Sequence, residues 1–196
     1  EKGTYSAGIF EGKKIMPSAH AALLALNMGV VPDDRRNAVQ EYLINNYNNS
    51  EYRTRIKDKG VLLDAAFDIN TVVNGVNMPY TAFWLLEELF NAGQANLALD
   101  FIRKKWASDM EQQQTGTLSE SFGGGDLCHS FGSSAAYSLL TKVLGVSIVL
   151  PIKDNLIQIK PQLGDLTQAK GSVVSEHGVV DVSWEFESGT DRKSVV

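Results

Sequence analysis

A mainly α body followed by a C-terminal β domain is the fold class this sequence predicts, and three observations predict it. Up to about Gly145 the apolar residues recur with helical spacing and the punctuation is of helix-end type. Beyond Gly145 the chain turns to short alternating runs rich in Val and Ile. No unit of fixed length recurs, which excludes a TPR or HEAT array. The boundary falls near Ser147, so a helical domain is expected over 1–146 and an accessory antiparallel sheet or sandwich over 147–196.

The first helix is expected from Pro17 to Met28, with Pro in its first turn, Gly29 as its cap, and Ala21, Leu24 and Ala25 on one face. A second starts near Pro32, carries Asp33 and Asp34 where the macrodipole favours anions, and turns Val39, Tyr42 and Leu43 inward. Together they form a helical hairpin. Residues 54–76 hold a short helix at 61–67. In NMPYTAFWLLEELFNAG, Asn77 is the N-cap, Phe83, Leu86, Leu89 and Phe90 make the stripe, and Gly93 stops the helix. The next runs from Gln94 to about Met110 with Leu97, Phe101 and Trp106 inward, and SAAYSLLTKVLG forms another over 132–144, capped by Gly145. The strands follow, with turns at Lys153–Asn155, Gly164–Asp165 and His177–Gly178. Val180, Val182, Trp184 and Phe186 alternate with polar residues as an antiparallel strand with one wet face requires. Four short strands are marginal alone, so this sheet is expected to pack on the helices.

Composition narrows the function. The 196 residues are 43% hydrophobic, which excludes disorder and collagen. A net charge of −5 with no basic block beyond RKK at 103–105 argues against nucleic acid or an anionic membrane as a partner. No apolar run approaches the roughly 18 residues of a membrane span. EKGTYSAGIF has neither the n-region nor the h-region of a signal peptide. A start in polar sequence without Met leads us to expect a longer parent protein. The single Cys128 excludes an internal disulfide and leaves periplasmic, extracellular and cytoplasmic compartments all open.

Chemistry is sought first in QQQTGTLSESFGGGDLCHSFGSSAAYS, 112–138, because long unpatterned connections are uncommon and often functional. SFGGGD lacks a feeding strand and any G-x-x-x-x-G-K-[ST] or G-x-G-x-x-G pattern, so linker glycine is the better reading. Cys128 beside His129 is not a nucleophile–base pair, since sequence neighbours point apart, and a buried structural Cys is expected. His20 reads as a hydrogen-bonded packing histidine and His177 as a turn residue; three dispersed histidines give a metal site little support. Glu120, between Trp106 and His129, suits a partly desolvated general acid or base, against the plainer reading of a solvated loop carboxylate.

The ordered string from TGTLSESF through DLCHSFGSSAAYSLLTKVLGV to IKPQLGDLTQAKGSVVSEHGVVDVSWE resembles the C-terminal part of the α-L-rhamnosidases, an inverting glycoside hydrolase family. PSAHAALLALNMGVVPDDRR and NMPYTAFWLLEELFNAG resemble its barrel helices, so the likeness covers most of the chain. The resemblance implies a partial (α/α)6 barrel of helical hairpins and hydrolysis of terminal α-L-rhamnosides without cofactor or metal. It implies Glu120 as the general base, His129, nine positions on, as a sugar contact, and Trp106 as part of the apolar wall. An inverting pair stands about 6.5–9.5 Å apart, leaving room for a water. Ser119 and Phe131 stand where the family has Trp, and no segment matches the family's general acid, which is expected upstream of Glu1.

The reading is therefore a C-terminal fragment of a rhamnosidase, inactive without its N-terminal half. The alternatives are another (α/α)6 glycosidase, or a non-catalytic helical carbohydrate-binding or scaffold module. A truncated barrel would expose apolar faces, so self-association or a companion N-terminal chain is expected, with a rhamnose-containing glycoside as the small-molecule partner.

Overall fold

The computed structural model describes residues 4–6, 9–10, 12–14, 19–47, 76, 78–112, 116–123, 125–148, 156–175, 178–187 and 190–195. The expected helix at 61–67, the first-turn Pro17, the N-cap Asn77, the turn at Lys153–Asn155 and His177 lie outside the described residues. The chain divides into two compact units, Glu1–Glu88 and Leu89–Val196.

In the first unit a short hairpin of β1 (Ile9–Phe10) and β2 (Lys13–Lys14) precedes α1 (Ala19–Asn27) and α2 (Asp33–Asn46). The turn between the helices is a Schellman motif. Gly29, at φ +67°, donates its N–H to Leu26 and the Val30 N–H reaches Ala25, so two carbonyls that a helix end leaves open are satisfied. The buried face of α1 is Ala19, Ala22, Leu23 and Leu26, while Leu24 is exposed. This corrects the expected face by about one residue, because the Ala-rich helix offers two apolar stripes and the sequence does not say which is covered. On α2, Val39 and Leu43 are buried and Tyr42 half-buried.

The helix α3 (Pro79–Asn91) begins in the first unit, where Asn27 Nδ2 donates to the carbonyls of Leu23 and Trp84 at 2.9 and 3.3 Å. Glu88, nearly fully buried, accepts from Arg36 at 3.2 Å and from Gln40 at 3.4 Å. The last turn of α3 opens the second unit and closes on Gly93 with a second Schellman pair, Gly93 N to Phe90 O and Gln94 N to Leu89 O.

The second unit continues with α4 (Ala95–Ile102), a π turn (Arg103–Ala107) and α5 (Ser108–Gln112), read together as one helical run. After the loop at 116–129 comes a 3₁₀ turn (Ser130–Ser133), then α6 (Ser134–Ser138) and a π turn (Leu139–Val143). Strand β3 (Val146–Ile148) pairs antiparallel with β4 (Ile157–Ile159), and β5 (Gln168–Ser175), β6 (Gly178–Glu187) and β7 (Thr190–Val195) form an antiparallel sheet.

The strands are fastened to the helical part of this unit. Lys160 N donates to Gly145 O and Gln162 N to Lys142 O. Gly145, at φ +84°, has no room for a side chain, since a Cβ there would stand 2.3 Å from Pro161 N. A Cβ at Gly171 on β5 would stand 3.1 Å from Leu144 Cδ2, so the sheet rests on the end of the second π turn. On β6, Val182 and Trp184 are buried as the alternation predicts, but Phe186, near the strand end, is exposed, a correction to the expected inward face.

Candidate functional site

The loop at 116–129 folds back on itself as a short ladder. Gly123 and Gly125, at φ +84° and +91°, let the chain reverse where a side-chain-bearing residue would be strained. The returning segment then pairs with the outgoing one: Thr117 Oγ1 donates to Leu127 O, His129 N to Leu118 O at 2.9 Å, and Glu120 N to Asp126 O at 2.9 Å. The consequence is that Glu120, Asp126 and His129 converge, with carboxylate oxygens and an imidazole nitrogen all within 4.8 Å of one another.

Each member has a distinct setting. Glu120 and His129 are half-buried, whereas Asp126 is largely exposed. His129 Nε2 lies 3.6 Å from Asp126 Oδ2, an ion pair only when the imidazole carries its second proton. On its other side the His129 ring meets Phe131, centroids 4.6 Å apart and tilted by 44°. Three ligand atoms this close could also hold one cation, and neighbouring acidic groups on a surface are common without one. Cys128, expected to be a buried structural residue, is exposed, a correction: its neighbour on the ladder, His129, takes the inward position.

Trp106 occupies a different level. Its side chain is nearly fully buried, its Nε1 donates to Gly132 O at 2.6 Å, and its ring stands edge-on to Phe122 at 4.7 Å and Phe101 at 6.1 Å. It supports the loop from beneath, and its one polar atom is engaged by the backbone. Gly132 is required at its position, since a Cβ there would fall 2.5 Å from Leu118 Cβ.

Sequence reasoning passed over Asp109. It is 2% exposed, and both of its carboxylate oxygens lie 2.7 Å from Ser119 Oγ, with Oδ1 also accepting from Gly123 N at 3.1 Å. The available signal was an acidic residue in the last turn of a long helical run, where the macrodipole disfavours an anion and another attachment is needed. Ser119 is fully buried and also lies 2.8 Å from Ser121 O. Elsewhere, burial holds the His20 imidazole below its ordinary value, and its Nε2 lacks a hydrogen-bond partner among the described residues, which corrects the expectation of a hydrogen-bonded histidine.

Comparison with known structures places the fold. A GH78 family rhamnosidase of Bacillus sp. GL1 superposes with a TM-score of 0.73 and 25% identity over 96% of this chain. The chain is similar to part of a GH78 α-L-rhamnosidase. The rhamnosidase-like match takes in 19% of the Bacillus chain, so the protein described here spans about a fifth of that length, consistent with a C-terminal part. The α-L-rhamnosidase from Dictyoglumus thermophilum gives a TM-score of 0.66 at 17% identity, covering 95% of this chain and 19% of that one. The Streptomyces avermitilis α-L-rhamnosidase complexed with L-rhamnose gives 0.59 at 18% identity, covering 95% and 17%. These two share the fold. No protein-family model and no curated protein matches the sequence.

Proposed function

We propose that this chain is part of an inverting α-L-rhamnosidase and contributes the general base of its active site, within the C-terminal portion of an (α/α)6 barrel. The observation that carries the reading is the back-folded ladder that brings the Glu120 carboxylate within 4.8 Å of the His129 imidazole. It is supported by the likeness to GH78 rhamnosidases along nearly the whole chain.

In this reading Glu120 takes a proton from a water as that water attacks the anomeric carbon, and His129, backed by Phe131, contacts the sugar in the same subsite. General bases of this kind contribute about 100–10,000-fold to rate. Rhamnose is a 6-deoxy sugar whose methyl group suits an aromatic neighbour, and Phe131 supplies one beside the imidazole. Trp106 belongs in this reading to the apolar wall of that subsite, its indole N–H held by Gly132 O and its ring packed on Phe122. Inversion also needs an acid on the opposite face of the sugar, about 6.5–9.5 Å from the base. No residue of this chain is assigned that role. Two carboxylates suffice for the reaction, so no cofactor enters the reading.

Incubating the intact protein with a panel of nitrophenyl glycosides tests it. Release from the α-L-rhamnopyranoside, with β-L-rhamnose as the first anomer seen by proton NMR, is the expected result. Preference for another sugar would assign a different glycosidase. Binding without turnover of any member would assign a carbohydrate-binding module.

A further inference from the structure

The reading of Glu120 as a base leaves open what holds it still, and the structure offers a buried device for this. Glu120 lies on a ladder whose reversal rests on glycines at 123 and 125, residues that do not stiffen the turn by themselves. Directly behind it Asp109, 2% exposed, reaches both sides of the turn: Ser119 Oγ at 2.7 Å on the residue before Glu120, and Gly123 N at 3.1 Å three residues after it. Trp106 stands one helical turn before Asp109, on the same face of the run, and holds Gly132 O at 2.6 Å beyond the returning segment of the loop. One helix face thus grips the loop at residues 119, 123 and 132, bracketing Glu120 and His129.

We propose that Asp109 is a positioning residue for Glu120, acting through a buried clamp on Ser119 and Gly123; this rests on the reading of Glu120 as the base. The clamp accounts for two features that are otherwise unexplained. A carboxylate is costly to bury unless its oxygens are hydrogen-bonded, and here Asp109 meets the loop hydroxyl and a loop amide. Ser119 stands where the rhamnosidase pattern has Trp, and its hydroxyl, fully buried, reaches Asp109 from that position. The bulky aromatic is exchanged for a hydrogen-bonded tether.

Oδ1 is within reach of both Ser119 Oγ and Gly123 N, and Oδ2 reaches Ser119 Oγ as well, so Asp109→Asn, which keeps one carbonyl oxygen, can retain both attachments, whereas Asp109→Leu removes them. In the intact protein, with nitrophenyl α-L-rhamnopyranoside as substrate, Asp109→Leu is expected to lower kcat by about 100-fold, the scale of an ångström's misplacement of a catalytic group. KM should stay within about threefold, since ground-state sugar contacts are untouched. Asp109→Asn should recover most of the rate. Amide hydrogen exchange at Gly123 should quicken in Asp109→Leu and remain slow in Asp109→Asn. Should Asp109→Leu fail to fold, Ser119→Ala removes one arm alone and is expected to lower kcat by about tenfold. Unchanged kcat in Asp109→Leu or, failing that, in Ser119→Ala would overturn the proposal, as would a rise in KM at constant kcat. Full turnover by Glu120→Gln, measured alongside, would overturn the base and so the functional part of this inference, while Gly123 exchange would still decide whether the clamp exists.

Discussion

The indole N–H of Trp106 donates to the carbonyl oxygen of Gly132 at 2.6 Å, tying a helix to the segment that follows the Glu120 loop. Removing the donor while keeping an aromatic ring isolates that bond. Trp106→Phe is expected to destabilise the protein by about 1–3 kcal/mol, the cost of leaving a buried carbonyl unpaired. A urea titration checks it: the midpoint should fall with the slope unchanged.

Gly132 is constrained from its other side as well. A methyl group there would meet Leu118 Cβ at 2.5 Å, on the outgoing segment of the loop that carries Glu120. Gly132→Ala should cost about 1–3 kcal/mol through overpacking. It should also displace the ladder, so the Leu118–His129 bond becomes the place where amide exchange quickens first.

In the first unit, Glu88 is 3% exposed and its carboxylate meets the Arg36 guanidinium at 3.2–3.3 Å, with Gln40 at 3.4 Å. Arg36→Ala strips the charged partner and leaves Glu88 buried. The expected loss is about 1.5–3 kcal/mol, and Arg36→Ala combined with Glu88→Leu should recover part of it, measured as a double-mutant cycle.

Burial lowers the His20 pKa from its ordinary 6.5. The unfolded chain therefore takes up a proton at a higher pH than the folded one. The stability this group contributes is complete above pH 6.5 and is lost as pH falls through the lowered folded value. Denaturation midpoints measured across this window should decline on acidification, and His20→Phe should flatten that part of the curve.

The elements of the helical region were legible because helices announce themselves by spacing and by glycine. Gly29 and Gly93 mark Schellman ends, and Leu86, Leu89, Phe90, Val182 and Trp184 are buried where periodicity puts them. The face of α1 was not, because Ala21 and Leu24 are as apolar as Ala22 and Leu23 and only a neighbour distinguishes them. Sequence also showed the change from helical to strand texture near Ser147, because composition follows secondary structure; the strands beyond it dock on helices of the same compact unit, Leu89–Val196. At the candidate site, the loop's composition attracted notice to Glu120 and His129, and the likeness to a family supplied their roles. Asp109 lay hidden because its partners, a serine hydroxyl and a glycine amide, sit 10 and 14 residues away and carry no motif.

Turnover of nitrophenyl α-L-rhamnopyranoside by the intact protein and by its Glu120→Gln variant tests the central claim most directly. The substitution keeps the size of the side chain and removes its capacity to accept a proton, so with an unchanged circular-dichroism spectrum the rate should fall by about 100–10,000-fold. A variant that hydrolyses the glycoside at the wild-type rate would contradict the assignment of Glu120 as the base.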